Sequence, residues 1–161
     1  LSPAPASLKW RLEPVVEADF ESLLALRIAA LQESLERLGR FDPARARARF
    51  QAGFEPAFMQ HIVSAESGQR LGFFTVKPRP EGQVLRLEHL YLSPAAQGHG
   101  AGSWVMEQIK RQARLSACEI SLGALKLSRA NDFYQAHGFQ QVAEQEFDVE
   151  YRWNPAMELR A

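Results

Sequence analysis

Residues 85–109 read LRLEHLYLSPAAQGHGAGSWVMEQI. The stretch begins as a strand over Val84–Leu92. In an unbroken pleat, Leu85, Leu87, His89 and Tyr91 face one way and Arg86, Glu88, Leu90 and Leu92 the other. Pro94 cannot donate to a ladder and ends the strand. A helix is expected from about Gly100 to Leu115, with Val105, Ile109 and Ala113 on one side. Between them, Gly98, Gly100, Ala101 and Gly102 let backbone N–H groups approach a ligand closely. The helix start adds unpaired donors and partial positive charge. Together these predict a cradle for phosphate or pyrophosphate; the plainer alternative is a tight glycine turn. A P-loop would need Lys before Ser103, where Gly102 stands. The dinucleotide fingerprint G-x-G-x-x-G nearly fits Gly98, Gly100 and Ser103, with Glu119 near the acidic position. However, Ser93–Gln97 separate the turn from its strand, and that strand alternates with polar residues.

Elements on either side extend the pattern. Lys9–Glu13 is expected as a first strand. Asp19 is the expected cap of a helix whose Phe20, Leu24, Ile28, Leu31 and Leu35 share one face, with a stop at Gly39. A second helix is expected from about Asp42 to Gly53. Met59–Ala65 and Leu71–Lys77 read as strands joined by Glu66–Gln69, and Lys77–Gln83 as a loop. Cys118–Ala124 reads as a strand, Arg129–His137 as a helix stopped by Gly138, and Phe139–Ala143 as a strand. Phe147–Asn154 alternates as a last, half-buried strand. The order β-α-α-β-β-β-α-β-α-β-β predicts an α/β fold: a mixed, twisted sheet with helices on both faces.

The chain has 161 residues, enough for one domain at about 150 residues each. We expect a single unit over 1–161 with its core at about 8–153. Lys plus Arg number 19 and Asp plus Glu number 19, so the basic footprint of a general nucleic-acid binder is missing. Cys118, the one cysteine, has no intrachain partner, which suggests a reducing, cytoplasmic setting. His89–Met106, the longest run free of Asp, Glu, Lys and Arg, carries Pro94 and three glycines, so no membrane span is expected. The first residues, LSPAPASLKW, lack the apolar centre of a signal peptide. The His residues lack metal-ligand spacing, and no metal is expected.

Gln97-Gly98-His99-Gly100-Ala101-Gly102 matches Q/R-x-x-G-x-G/A, the acetyl-CoA pyrophosphate motif of the GNAT superfamily of N-acyltransferases. Leu90-Tyr91-Leu92-Ser93-Pro94 resembles that family's strand end. Ser128-Arg129-Ala130-Asn131-Asp132-Phe133-Tyr134 and Gly138-Phe139 resemble its later A-x-x-F-Y…G-F segment. The resemblance covers about Leu8–Trp153 and implies a sheet splayed near Leu92. Many members carry Asn where Leu127 stands, and Asn131 is the expected substitute.

The resemblance implies an acetyl-CoA-dependent N-acetyltransferase that acts by direct transfer to a primary amine in a ternary complex. It places the pyrophosphate on the amides of Gln97, Gly98, His99, Gly100, Ala101, Gly102 and Ser103. The pantetheine arm would pair along Leu90, Tyr91 and Leu92 like an added strand. A backbone N–H near Tyr91 or Leu92 would face the thioester oxygen, where negative charge develops. Tyr134 is the implied general acid: a phenol of ordinary pKa about 10, beside a thiolate whose thiol lies near 8.5. Glu88 is the candidate base, acting through water on the ammonium form of the acceptor. His89 is the reserve base if a bulge shifts the pleat.

Arg37, Arg40, Arg45, Arg47 and Arg49 crowd the first two helices. They are either a solvated face or a site for an acidic acceptor. Phe41 and Phe54 are core residues or an acceptor wall. Expected partners are a small-molecule or peptide amine, with no nucleic acid and no membrane, for a monomer or homodimer. The alternatives are a non-catalytic acyl-CoA-binding module and, further off, a nucleotide-binding α/β domain.

Overall fold

The computed structural model describes residues 8–80 and 82–160. The first seven residues, part of the stretch read above for a signal peptide, lie outside the described residues. The strands are β1 (Trp10–Pro14), β2 (Met59–Ser64), β3 (Arg70–Arg79), β4 (Val84–Leu92), β5 (Glu119–Leu125), β6 (Gln140–Glu144) and β7 (Asp148–Trp153). The helices are α1 (Phe20–Arg37), α2 (Pro43–Gly53), α3 (Ala101–Leu115) and α4 (Ala130–Ala136). The strands form one seven-stranded sheet in the order β1-β2-β3-β4-β5-β7-β6. Only β4 and β5 run parallel among the pairs described. This is the expected α/β architecture, with a core on each face of the sheet.

Against one face, α3 packs Val105, Met106, Ile109 and Ala113 into a cluster with Leu85, Leu87, Ile120, Leu122 and Tyr134. Against the other, α1 and α2 pack Leu23, Leu24 and Phe50 onto Met59 and Phe73. Pro43 begins α2, and the Asp42 carboxylate accepts from the Ala44 and Arg45 amides, 3.0 and 3.3 Å away. Both features start helices well. β3 runs two residues into the expected loop, because Pro78 and Arg79 still pair with Leu85 and Val84.

Two corrections concern β4. Thr75 stands opposite His89 and Val76 opposite Leu87, so Glu88 is an extra, unpaired residue. Such a bulge inverts the pleat beyond it. Leu85 and Leu87 therefore share a core with Leu90 and Leu92, while His89 and Tyr91 pack against Phe50 and Phe73 on the opposite face. The expected grouping of His89 with Leu87, and of Glu88 with Leu90, does not hold. Secondly, β4 pairs with β5 only over Val84–Leu87 with Glu119–Leu122. The sheet splits just after Leu87, earlier than the expected splay near Leu92.

Asp19 stands at the N-cap position of α1, but its side chain makes no capping hydrogen bond. Its buried carboxylate accepts from the Val16 amide (2.9 Å), His61 Nε2 (2.8 Å) and Arg70 Nη1 (3.1 Å). Burial alone would raise its pKa; the Val16 amide, His61 and Arg70 outweigh burial and hold it below the usual value. The contacts tie the β1–α1 connection to β2 and β3. Because the folded pKa lies below the unfolded one, this stabilisation is present at neutral pH and is lost as pH falls through the folded value. Asp19→Asn should cost about 2–3 kcal/mol at pH 7 in chemical denaturation, with the difference shrinking towards pH 3. Equal stability at pH 7 would show the carboxylate charge to be dispensable.

Candidate active site

Where β4 and β5 part, a cavity of about 710 Å³ opens. Its walls come from α1, α2, the bulged half of β4, the glycine loop, the end of β5 and α4. Of the residues singled out in the sequence, Glu88, His89, Leu90, Tyr91, Leu92, Gln97, Gly98, Gly100, Gly102, Ser103 and Tyr134 line it.

The loop has the backbone its glycines predict. Gly98 and Gly100 adopt φ of 82° and 91°, a region that side chains disfavour. Gly100 is the residue before α3, so the first amides of that helix lack intrahelical partners and point outward. A Cβ on Gly100 would lie 3.3 Å from the Trp10 ring. Gln97 Nε2 donates to the Leu92 carbonyl (3.1 Å), tying the loop to the end of β4. Ser103 Oγ meets His137 Nε2 at 3.0 Å. His99 is exposed and Ala101 is buried; neither side chain reaches the cavity.

Asn131 does not reach it either. Its amide donates to the Leu125 carbonyl (2.9 Å) and to the Ser128 carbonyl (3.0 Å), and its oxygen accepts from the Tyr151 hydroxyl (2.8 Å). Asn131 therefore fastens the β5–α4 loop, and the expected cofactor contact is replaced by a structural one. Leu127, at the position where the family pattern has Asn, takes φ of 65° and is exposed. That left-handed backbone is one Asn tolerates better than Leu.

Tyr134 is buried on α4, edge-on to Phe133 and Phe139. Burial, with the Tyr91 hydroxyl nearby, pushes its pKa well above that of an ordinary phenol. Transfer from a phenol to a thiolate is uphill even at ordinary values, and this environment steepens it. The hydroxyl is therefore suited to donate a hydrogen bond to sulfur as charge develops, and the simple acid expected from the sequence is corrected to that extent.

Glu88 and His89 both lie on the α1/α2 face. Glu88 Oε2 is 3.2 Å from Lys77 Nζ, which also donates to the Gly53 carbonyl (2.8 Å) and Glu55 (2.9 Å). Burial opposes the Lys77 charge, but Glu55 and Glu88 outweigh it and raise its pKa. His89 Nδ1 stands 2.9 Å from Thr75 Oγ1. Burial, then the charges of Arg27 and Lys77, push the His89 pKa down to about 3. A ring that resists protonation so strongly is a poor base for an ammonium group, so the bulge brings the reserve base into place but its surroundings disarm it.

Arg37, Arg40, Arg45 and Arg49 line the cavity; Arg47 instead pairs with Glu21, and Phe41 and Phe54 lie outside the lining. Sequence reasoning missed several lining residues, among them Arg27 and Asp148. Arg27 falls three residues after Leu24 and four before Leu31, a cation on the apolar stripe of α1. Asp148 opens β7, close enough to Tyr91 to add to the upward shift that burial gives that hydroxyl, against the opposing Arg27 charge. Among the described residues no group of three or more His, Cys, Asp or Glu could hold a metal ion. No described helix is long and apolar enough to cross a membrane.

A family model described as an acetyltransferase (GNAT) domain matches residues 59–141. The chain belongs to the GNAT acetyltransferase family. No curated protein matches the chain. Solved structures share the fold at low identity. PaiA N-acetyltransferase from Thermoplasma acidophilum, in complex with coenzyme A, gives a TM-score of 0.72 at 12% identity over 91% of this chain and 99% of that one. Histone acetyltransferase HPA2 and related acetyltransferase from Corynebacterium glutamicum gives 0.69 at 20% identity over 92% and 97%. An acetyltransferase from Thermus thermophilus gives 0.67 at 20% identity over 91% and 97%.

The disarmed His89 has a thermodynamic signature. Its folded pKa of about 3 lies below an unfolded value near 6.5, so the unfolded chain binds more protons between them. Stability contributed by the neutral ring is complete above about pH 6.5 and falls as the pH drops. Relative to His89→Gln, the wild type should lose about 1.4 kcal/mol per pH unit from pH 6 to pH 4. Parallel stability curves for the two proteins would show that His89 ionises freely.

Proposed function

We propose that this chain is an acetyl-CoA-dependent N-acetyltransferase that passes the acetyl group directly to a primary amine in a ternary complex. The observation that carries the reading is the split between β4 and β5, with the open start of α3 on one wall and Tyr134 on another. The pyrophosphate rests on the amides around Gly98–Ser103. The pantetheine arm runs along the β4 edge that β5 leaves free beyond Leu87, pairing as an added strand. An amide of that edge, near Tyr91, faces the thioester oxygen and stabilises the tetrahedral state.

Chemistry follows from the same placement. The acceptor ammonium loses a proton through water to Glu88, which Lys77 holds in position. The free amine attacks the thioester carbonyl carbon, the nitrogen of the tetrahedral adduct gives its extra proton to solvent, the C–S bond breaks, and the thiolate leaves with a hydrogen bond from Tyr134. Cys118, the only thiol, is absent from the cavity lining, which favours direct transfer over a cysteine-bound acyl intermediate. Residues 8–153 act as one catalytic unit, and a reducing cytoplasm suits the unpaired Cys118.

Acetyl-CoA should raise the melting temperature, since ligand at 100 times its Kd adds about 2.7 kcal/mol. Gly100→Asp should abolish that shift, because the positive φ strains any side chain and the added carboxylate repels a pyrophosphate at the neighbouring amides. A folded Gly100→Asp protein with unchanged affinity would remove the loop from the site.

Tyr134→Phe should lower kcat by about 10–100-fold, the worth of one hydrogen bond to a developing charge. Acetyl-CoA affinity should stay within about twofold, because the ring still packs. Glu88→Gln should lower kcat/KM with acetyl-CoA affinity unchanged, and full activity would reduce Glu88 to a partner of Lys77.

A further inference from the structure

The cavity lining contains six arginines and four carboxylates, and most of the carboxylates are already engaged. Glu33 pairs with Arg37, Asp42 caps α2, and Glu88 pairs with Lys77. Among the arginines, Arg37 is also spent on the Leu127 carbonyl, and the Arg40 guanidinium lies 4.1 Å from the centre of the Phe147 ring. Arg27, Arg45 and Arg49 have no carboxylate partner among the described residues. The α1/α2 side of the cavity therefore holds a surplus of cation.

Arg27 is the telling member. It projects from the middle of α1, beneath the α1/α2 layer, with its guanidinium 6.0 Å from the centre of the Phe50 ring. It stands close enough to Tyr91 and His89 to bias the protonation of both. Its Nε is buried with no hydrogen-bond partner. The side chain as a whole is only half-buried, so its guanidinium is held at the cavity wall while one donor goes unused, which is costly for a charged group. Arg27 lines the cavity, so a planar anion there can meet its guanidinium in the two-pronged geometry that distinguishes guanidinium from ammonium.

We propose that the acceptor is a small amine that carries a carboxylate, and that Arg27 binds this carboxylate with Arg45 and Arg49 adding charge from α2. The inference rests on the acetyltransferase reading of this cavity. Arg27 reaches β4 at His89 and Tyr91, the part of the strand along which the thioester would lie. The carboxylate and the reacting nitrogen must then sit within a few bonds of each other, as in an amino acid. The same surplus of cation disfavours polyamines and lysine-rich peptides, whose extra charges would meet arginines.

The test is a kinetic panel with acetyl-CoA: the common L-amino acids, β-alanine and γ-aminobutyrate, each beside its carboxamide, plus spermidine and a lysine peptide. Release of the coenzyme A thiol is the readout. At least one carboxylate acceptor should exceed its own carboxamide by about 100-fold in kcat/KM, the scale of hydrogen bonds to a charged group. Arg27→Met should erase that ratio, mainly through KM, while retaining the melting shift with acetyl-CoA. Arg27→Lys should recover only part of it, because the two-pronged contact is missing. If Arg27→Met does not fold, the rim variant Arg45→Gln/Arg49→Gln should raise KM for the carboxylate acceptor alone. Equal rates on acids and amides, turnover confined to spermidine or the peptide, no turnover of any carboxylate member, or a ratio that survives Arg27→Met would each overturn the inference. A wild-type protein that gives no melting shift with acetyl-CoA would instead overturn the reading on which it rests.

Discussion

One unpaired residue in β4 organises the site. Glu88 has no partner on β3, so every side chain beyond it changes face. Without that insertion, His89 and Tyr91 would enter the core under α3, and Leu90 and Leu92 would stand beneath α1 and α2. With it, Leu90 and Leu92 join the core under α3, while His89 and Tyr91 face α1 and α2. The bulge and the split lie side by side, at Glu88 and just after Leu87. Bulges bend and twist a strand more strongly. A bent β4 cannot keep pairing with a parallel neighbour that β7 holds along its other edge.

Much of this was legible in the sequence because it is local. Gly98 and Gly100 occupy positive φ, as a turn of closely spaced glycines before a helix predicts. Tyr134 lines the cavity because four residues of motif fix its turn of α4. The bulge was not legible. Val84–Leu92 alternates well enough on its own, and an extra residue exists only relative to the strand it pairs with. The reading of Asn131 went astray for a related reason. Its side chain is satisfied by Leu125, Ser128 and Tyr151, and the last lies twenty residues further along the chain. Asp19 likewise sat where a cap belongs, yet its partners His61 and Arg70 are distant in sequence.

The electrostatics of the cavity follow from the same inversion. The bulge turns His89 towards Arg27 and Lys77, and two nearby cations together with burial keep the ring neutral. A neutral imidazole bonded to Thr75 is a rigid wall and not a proton carrier. Glu88, the base we propose, stands at the same bulge with a lysine fixing its position. Lys77 has two carboxylate neighbours, Glu55 and Glu88, so it is not neutralised by Glu88 alone.

The far rim of the cavity is joined across the sheet by a bond from the Arg37 side chain to the Leu127 carbonyl. Leu127 holds a left-handed conformation that costs a non-glycine residue about 1–2 kcal/mol. Its apolar side chain is largely exposed and recovers little of that cost. What the conformation secures is the carbonyl: Arg37 Nη1, near the end of α1, donates to it at 3.2 Å. Arg37 is itself steadied by Glu33 one turn earlier. The bond links α1, on one face of the sheet, to the loop that leads into α4 on the other. Those two elements carry Arg27 and Tyr134. The Arg37 side chain and the Leu127 carbonyl therefore join the element that carries the group read here as holding the acceptor to the loop before the one that meets the leaving sulfur. The residue type at 127 matters to that link only through the backbone it permits.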